Sequence, residues 1–200
     1  MSFPEHLFAA EPARGVLDRL RREDQRQRDA GLGVAERTRN ATAPTGLFLY
    51  TTARATGART IVEMGSSTGY STIFLALAAR ENGGRVTGTE VLSERVQLAN
   101  NNLRDAGLDK IATVQLADAA RLAGDFAAGS VDLVFIDAEK DDYSRLFLAI
   151  VDRVRIGGLI LTDNVVSHDC SDYLQMLAAR SDIISQTLPF ERGIELTLKR

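Results

Sequence analysis

Apolar runs of strand length alternate with longer amphipathic segments from Thr60 onward. This rhythm is typical of parallel strands joined by crossover helices, because each parallel connection has to return along the sheet. The predicted strands are Thr60–Met64, Arg85–Glu90, Ala112–Leu116, Val131–Ile136 and 158–162. The predicted helices are 70–81, 93–107, 143–154 and 171–179. In the second of these helices, Ser93 is the predicted N-cap, and Val96, Leu98 and Leu103 form the apolar stripe.

The end of the chain follows a different pattern. Residues 183–188 and 194–198 have the composition of two strands around a turn at 189–193, which predicts an antiparallel hairpin. We therefore predict an α/β fold with a doubly wound, Rossmann-like sheet that is mostly parallel and ends in a C-terminal antiparallel hairpin. In such a sheet, ligands bind at the carboxyl ends of the strands, near the point where the strand order reverses.

The residues that precede the sheet predict a helical N-terminal arm over residues 1–40. A helix is predicted from residue 4 to about residue 28, then a loop at 31–44 and a short helix at 46–56. The few apolar positions of the arm are Leu7, Val16, Leu17 and Leu20. They would gain burial by covering a neighbouring cleft or by pairing with a second subunit, so a homodimer is one expectation. With 200 residues, of which 44% are hydrophobic, the chain has the size of one domain.

The composition narrows the class of partner. A net charge of −3 and a pI near 5.5 predict no general affinity for nucleic acid or for anionic membranes, so a small molecule is the expected partner. The lone Cys170 cannot form an internal disulfide, and no apolar stretch near Met1 has the length of a signal peptide or a membrane span. We therefore expect a cytoplasmic protein, and we interpret Cys170 as an ordinary packed or surface thiol.

Candidate ligand-binding residues follow the first strand. Glu63, Gly65, Ser66 and Ser71 lie in a small-residue segment that ends the strand and opens a helix. Because Gly65 and Gly69 are four residues apart, the segment lacks the three-glycine pattern that binds a dinucleotide pyrophosphate. Glu63 is predicted to face the crevice, where its carboxylate could pair with a ligand that carries a cationic amine.

A second acid ends the next strand. Glu90 lies about twenty residues beyond the glycine loop, where a carboxylate can accept hydrogen bonds from both ribose hydroxyls of a nucleoside. Asp118 and Ala119 follow the third strand, at the position where a bound adenine would lie. The loop and the acid together predict a nucleoside cofactor, whereas each acid alone is equally compatible with a solvated strand end.

Oxygen donors follow the fourth and fifth strands, where Asp137, Asp163 and Asn164 come directly after the predicted strand ends. Neighbouring strands of a parallel sheet are about 4.8 Å apart, so these side chains can converge on one cation. An all-oxygen set favours Mg²⁺, with Mn²⁺ or Ca²⁺ as alternatives, over zinc, which prefers His or Cys. Each residue alone is compatible with simple turn capping, but two carboxylates side by side repel each other unless a cation or a lysine offsets their charge.

Lys140 follows Asp137 by three residues and is predicted at the mouth of the same crevice. This is a suitable position for a general base. The alternative is a plain salt bridge from Lys140 to Asp141 or Asp142.

Four segments together resemble the cation-dependent O-methyltransferases, which include the catechol and caffeoyl-coenzyme A enzymes and many bacterial relatives. The segments are E-M-G-S-S-T-G-Y-S-T, V-T-G-T-E, F-I-D-A-E-K-D-D-Y and G-G-L-I-L-T-D-N-V, and the resemblance covers about residues 41–198. It implies a class I methyltransferase fold with S-adenosyl-L-methionine as the cofactor. It also implies transfer of the cofactor's methyl group to a hydroxyl of a catechol-like or vicinal-diol acceptor.

The resemblance assigns roles to the candidate residues. The S-adenosylmethionine site would be lined by Glu63, Gly65, Ser71, Glu90, Ala119 and Asp137. The metal ligands would be Asp137, Asp163 and Asn164. Lys140 would be the general base, and it forms the catalytic set together with Asp137.

The chain departs from the family at the acceptor site. Glu139 stands where the catechol enzymes have a tryptophan, and this chain contains no tryptophan. Tyr143, His168 and Tyr173 are the candidate walls of the acceptor pocket. Two other functions stay open, namely a non-catalytic S-adenosylmethionine-binding sensor or scaffold, and a nicotinamide-dependent oxidoreductase, which the glycine spacing disfavours.

Overall fold

The computed structural model describes residues 8–9, 11–33 and 36–200. Its seven strands form one sheet in the order β3-β2-β1-β4-β5-β7-β6. The strands are β1 (Thr60–Met64), β2 (Arg85–Glu90), β3 (Ala112–Leu116), β4 (Val131–Ile136), β5 (Val154–Asp163), β6 (Ile183–Leu188) and β7 (Ile194–Lys199). The helices are α1 (Pro12–Asp29), α2 (Ala43–Ala55), α3 (Tyr70–Asn82), α4 (Ser93–Asp105), α5 (Ala119–Ala123), α6 (Tyr143–Ile150) and α7 (Ser171–Ala178).

The predicted α/β fold is confirmed. Strands β1 to β5 pair in parallel, and β7 pairs antiparallel with both β5 and β6. The strand order reverses between β1 and β4, because β1 leads to β2 on one side and β4 lies on its other side. Ligand crevices of doubly wound sheets form at such a reversal.

Alternating side chains of the central strands supply two hydrophobic cores. Ile61 and Phe135 belong to the core under α1 to α4, whereas Val62 and Ile136 belong to the core under α5 to α7. Successive residues of a strand point to opposite faces, so a run that is apolar throughout has to be covered on both sides. This explains why β1 and β4 occupy the centre of the sheet.

The register aligns the ends of the three strands that carry the candidate residues. Met64 pairs with Ile136, and Ile136 pairs with Thr162. The next residues along these strands, Gly65, Asp137 and Asp163, therefore lie side by side at the carboxyl edge of the sheet.

Several predicted boundaries differ from the structure. Helix α1 begins at Pro12, while the predicted start at residue 4 lies outside the described residues. Ser93 is the first residue of α4 and Leu92 is its N-cap, so the predicted cap was wrong by one residue. Leu98 was also wrongly assigned to the apolar stripe, because it is 51% exposed, whereas Ala99 and Leu103 are buried.

Helix α5 was not predicted, because a helix of five residues is too short to show a periodic apolar pattern. Strand β5 begins at Val154, and helix α6 ends four residues before it. The apolar residues of 143–154 have helical spacing, and for that reason the predicted helix wrongly extended to residue 154. In the structure, Val154 pairs with Val131 in the sheet, so it belongs to β5 and not to α6.

The apolar stripe of the N-terminal arm is buried within the chain. Val16, Leu17 and Leu20 join the core beneath α1, which packs against α3 and α4. Their burial therefore no longer argues for a second subunit. Among the helices that the structure describes, none is long and apolar enough to cross a membrane.

Candidate functional site

A cavity of about 360 Å³ opens at the carboxyl ends of β1, β2, β3 and β4. It lies at the strand-order reversal, where the sheet topology places a ligand. Its walls contain every predicted cofactor residue except Glu63: Gly65, Ser66, Ser71, Glu90, Asp118, Ala119 and Asp137.

Gly65 brings the loop after β1 into contact with the end of β4. Its φ of +95° is a conformation that residues with a side chain rarely adopt. A Cβ atom at Gly65 would lie 2.2 Å from the carbonyl oxygen of Asp137. The absence of a side chain therefore allows the loop to pass next to Asp137 and keeps the two strand ends together.

We expect Gly65→Ala to destabilise the fold far more than Gly57→Ala. Gly57 also has a positive φ, of +63°, but a Cβ there meets nothing within 4 Å. The left-handed backbone costs either alanine about 1–2 kcal/mol, and overpacking at Gly65 adds roughly 1–3 kcal/mol. Urea denaturation of both variants measures the difference. Equal losses of unfolding free energy would show that the contact with Asp137 is not tight.

Glu63 lies behind the glycine loop and not on the cavity wall. Its side chain is fully buried, and it accepts hydrogen bonds from Ser66 Oγ at 2.6 Å and from Thr72 Oγ1. Burial raises the pKa of this carboxyl. The prediction that Glu63 faces the crevice is therefore wrong, because Ser66 lies between Glu63 and the cavity.

One oxygen of Glu63 nevertheless lacks a partner. Among the described residues, nothing donates to the buried Oε1. A buried oxygen without a donor is unfavourable by about 1–3 kcal/mol, so this atom is available to a donor or a water reaching in from the cavity side.

Glu90 lines the cavity and is held rigidly by backbone donors. Its Oε1 accepts from the N–H groups of Val91 at 2.7 Å and Leu92 at 3.0 Å, and its Oε2 accepts from Ser67 N at 3.1 Å. Because Oε2 accepts only one of these bonds, it keeps capacity for a ligand hydroxyl. The carboxylate is thus preoriented for a donor in the cavity.

Asp118 has a structural role as well as a place on the wall. It is the N-cap of α5, accepting from Arg121 N at 3.0 Å, and it forms an ion pair with Arg145 at 3.1 Å. The Arg145 guanidinium holds the pKa of Asp118 below its usual range. Arg145 also donates to Asp142 and lines the same cavity, but the sequence analysis missed it because it lies inside a helix far from any strand end.

A loop that the sequence analysis did not assign to the site covers the glycine loop. Ser67 Oγ donates to the carbonyl of Thr38 at 2.5 Å, and Thr68 Oγ1 bonds Asn40 Oδ1 at 3.1 Å. Arg39 forms an ion pair with Glu139 at 2.5 Å. We call residues 38–41 the strap. No motif in this polar loop could have revealed it, because only tertiary contacts bring it over the cavity.

A second cavity, of about 150 Å³, adjoins the first, and Asp137 lines both. The four predicted catalytic and metal residues Asp137, Lys140, Asp163 and Asn164 all contribute to its walls. The structure therefore places these four residues around one cavity, and their roles there stay a prediction.

The donor set of the second cavity fits a hard divalent cation. Asp163 is 3% exposed, and its pKa is raised to about 7 by burial and by the negative charge of Asp137. Two carboxylates in such a place are unfavourable unless positive charge offsets them, and Lys140 supplies part of that charge 3.2 Å from Asp137. Asn164, with φ of +63°, supplies an amide oxygen next in the chain. Within the described residues, no group of three His, Cys, Asp or Glu is placed to hold a metal ion, so a cation here would have two carboxylates and one amide as its protein donors.

Lys140 points its ammonium group at this donor set. Its Nζ donates to Asp137 Oδ1 at 3.2 Å, to the carbonyl of Ala138 at 3.1 Å and to Tyr143 Oη at 2.5 Å. The alternative salt bridge to Asp141 or Asp142 is not formed, and Asp142 pairs with Arg145.

The two tyrosines proposed as pocket walls belong to the core. Tyr143 and Tyr173 are 0% and 3% exposed and pack edge to face. Tyr143 Oη donates to the carbonyl of Asp163 at 2.7 Å and accepts from Lys140, so it positions both residues. His168 does line the second cavity, as expected.

Comparison with known proteins agrees with this arrangement. Residues 8–178 match the family model described as O-methyltransferase. The catechol O-methyltransferase of Niastella koreensis is 36% identical over 124 residues, which are 60% of this chain and 56% of that protein. The caffeoyl-CoA O-methyltransferase of Medicago sativa is 30% identical over 129 residues, which are 62% of this chain and 52% of that protein.

A solved structure extends the similarity over nearly the whole chain. The O-methyltransferase TomG from Streptomyces achromogenes, involved in tomaymycin synthesis and solved in complex with S-adenosylmethionine, has a TM-score of 0.77 and 27% identity. The match covers 90% of this chain and 88% of that one.

The sheet order and the similarity to solved methyltransferases identify the class I methyltransferase architecture. Within that class, the chain belongs to the O-methyltransferase family. The chain spans about half the length of the curated relatives it matches.

Proposed function

We propose that this protein is an S-adenosylmethionine-dependent O-methyltransferase that methylates a hydroxyl of a small catechol-like or vicinal-diol acceptor with the help of a divalent cation, most simply Mg²⁺. The observation that carries the proposal is the junction of the two cavities at Asp137. A nucleoside-sized cavity and a cavity with oxygen donors and a lysine share one wall. A methyl group could pass between them over a short distance.

The larger cavity supplies the features that the cofactor needs. Glu90 accepts hydrogen bonds from the ribose hydroxyls, and the start of α5 at Asp118 and Ala119 borders the adenine. Gly65, Ser66 and Ser71 border the amino acid end, where Asp137 provides negative charge. The names of the relatives support this assignment, and TomG was solved with S-adenosylmethionine bound.

The smaller cavity supplies the features that the acceptor needs. A cation held by Asp137, Asp163 and Asn164 would favour the ionised form of a bound hydroxyl. Lys140, as the neutral amine, takes the hydroxyl proton at Nζ. The ammonium formed in this way donates to Asp137 and to the carbonyl of Ala138. Tyr143 keeps Lys140 beside Asp137 through its 2.5 Å hydrogen bond. Residues 39–41 of the strap line both cavities. Orientation of the two reactants supplies much of the remaining rate.

We further propose that residues 1–200 form one domain. Helices α1 and α2 share a single hydrophobic core with α3 and α4, so no part of the described chain has a core of its own on that face.

The direct test is methylation of catechol and caffeate by the purified protein with S-adenosylmethionine and Mg²⁺. We expect turnover that excess EDTA abolishes and that added Mg²⁺ restores. Measurement of S-adenosylhomocysteine formation by chromatography is the readout. Binding of S-adenosylhomocysteine without turnover of any diol would favour a sensor, and thermal protection by NAD in place of S-adenosylhomocysteine would favour an oxidoreductase.

A further inference from the structure

The second cavity carries more positive charge than the proposed chemistry requires. Besides Lys140 and His168, four of its lining residues are arginines: Arg28, Arg37, Arg39 and Arg192. They come from three separate parts of the chain, namely the end of α1, the segment before α2, and the turn between β6 and β7. They are neighbours because of the tertiary fold, and not because they share one face of a helix.

Two of the four arginines already have carboxylate partners. Arg28 Nε donates to Asp24 at 2.7 Å, and Arg39 is paired with Glu139. The charges of Arg28 and Arg39 are therefore compensated within the protein, so these two arginines give no reason to expect an anionic ligand.

Arg37 and Arg192 are different. Neither side chain makes a hydrogen bond or an ion pair within the part of the chain that the structure describes, and the Nε of Arg37 is buried. Arg192 interacts electrostatically with Asp163. If Asp163 bound a divalent cation, its charge would be engaged by that cation and would no longer balance Arg192. Arg37 and Arg192 would then line a cavity of net positive charge.

From this we infer that the natural acceptor carries a carboxylate in addition to its adjacent hydroxyls, and that Arg37 and Arg192 bind this carboxylate. The inference rests on the proposed function, since the proposed cation at Asp137, Asp163 and Asn164 would position the hydroxyls. Arginine matches a carboxylate with two parallel hydrogen bonds. The volume of about 150 Å³ favours a compact single-ring acid, because it is below the roughly 300 Å³ of ordinary ligand pockets.

The test compares acids with their matched amides. The substrates are 2,3- and 3,4-dihydroxybenzoate and the two corresponding dihydroxybenzamides, which differ in charge but hardly in shape. We expect kcat/KM for one of the acids to exceed that of its amide at least tenfold, because a charge-assisted pair contributes about that factor or more. Arg192→Gln and Arg37→Gln are each expected to reduce the acid-to-amide ratio by about tenfold. Arg104→Gln is the control, because Arg104 is exposed on α4 and this substitution removes the same charge at a position outside both cavities.

Equal kcat/KM for acids and amides would overturn the inference and leave the methyltransferase proposal intact. A preference of more than tenfold for caffeoyl-CoA over both acids would overturn it as well. If no diol is methylated, the proposed function fails instead, and calorimetry with Mg²⁺ and S-adenosylhomocysteine then decides the inference. Tighter binding of the acid than of the amide, lost in Arg192→Gln but kept in Arg104→Gln, supports it, and equal binding refutes it.

Discussion

Replacing Asp163 by asparagine is expected to abolish Mg²⁺-dependent methyl transfer and at the same time to stabilise the metal-free protein. The activity is lost because the cation loses one of its two carboxylates. The fold gains stability because Asp163 is buried beside the like charge of Asp137, whereas an amide at this position is neutral. The bond from Asn164 N to Oδ1 at 2.9 Å survives the change, since an asparagine side chain keeps that oxygen.

The gain in stability depends on pH with a definite sign. The pKa of Asp163 is raised to about 7 in the folded protein, so the folded state binds a proton more tightly than the unfolded state does. The wild type therefore loses stability as the pH rises from about 4 to about 7. Above that window its deficit relative to Asp163→Asn no longer grows, because the carboxyl is ionised in both the folded and the unfolded state.

Thermal unfolding of both proteins in EDTA between pH 4 and pH 8 measures this difference. Saturating Mg²⁺ should raise the melting temperature of the wild type and leave Asp163→Asn unchanged. Asp141→Asn is the control, because Asp141 is an exposed neighbour with the same change of charge. A variant that is less stable than the wild type at pH 8 in EDTA would contradict a buried, repelling carboxylate.

Lys140→Met is expected to lower kcat by about 10²–10⁴-fold, the range that a positioned general base contributes. Methionine keeps much of the length and apolar volume of the lysine but cannot accept a proton. The KM for S-adenosylmethionine should change little, because Lys140 lines the second cavity and not the first. Single-turnover methylation of the best diol, measured from pH 6 to pH 10, is the appropriate assay.

Two further variants make the result for Lys140 specific. Lys110→Met removes an exposed lysine at a distance from both cavities and should retain wild-type kcat. Tyr143→Phe removes the hydroxyl that accepts from Lys140 and donates to Asp163, so an intermediate loss with an altered pH profile is expected. A kcat for Lys140→Met within threefold of the wild type would remove the lysine from the mechanism.

The two predictions separate the roles of neighbouring residues. Asp163→Asn should impair metal binding, which calorimetry with Mg²⁺ detects without any turnover. Lys140→Met should leave Mg²⁺ binding in place and act on the proton transfer. A single defect shared by both variants would indicate that the site collapses as a unit.

The sheet could be predicted from the sequence because its central strands carry a continuous apolar pattern. Val131–Ile136 is apolar at all positions but one, so only a strand covered on both faces explains it. Helix α5 and the start of β5 could not be predicted in this way, because neither has a continuous apolar pattern of its own. Helix α5 buries only Leu122 and Ala123, and the start of β5 is set by pairing with Val131 and not by local preference.

Of the candidate site, the sequence predicted the residues at the ends of the central strands and not those contributed by loops, helices and turns. Residues that directly follow a central strand, such as Asp137 and Asp163, have their place fixed by the topology of the sheet. Arg39, Arg145 and Arg192 belong to a loop, a helix and a hairpin turn, and their sequence neighbours contain no sign that they reach a cavity.

By itself, the sequence determined the order of strands and helices, the crevice at the strand ends, and the oxygen donors grouped around it. Only the tertiary structure decided that Glu63 lies behind Ser66 and that the strap covers the glycine loop. It also decided that Arg37 and Arg192 line the same cavity as Asp137 and Asp163. The physical reason is the range of the interactions. Periodicity and strand ends are local properties of the chain, whereas burial and charge compensation depend on residues that are distant in sequence and become neighbours only when the core is packed.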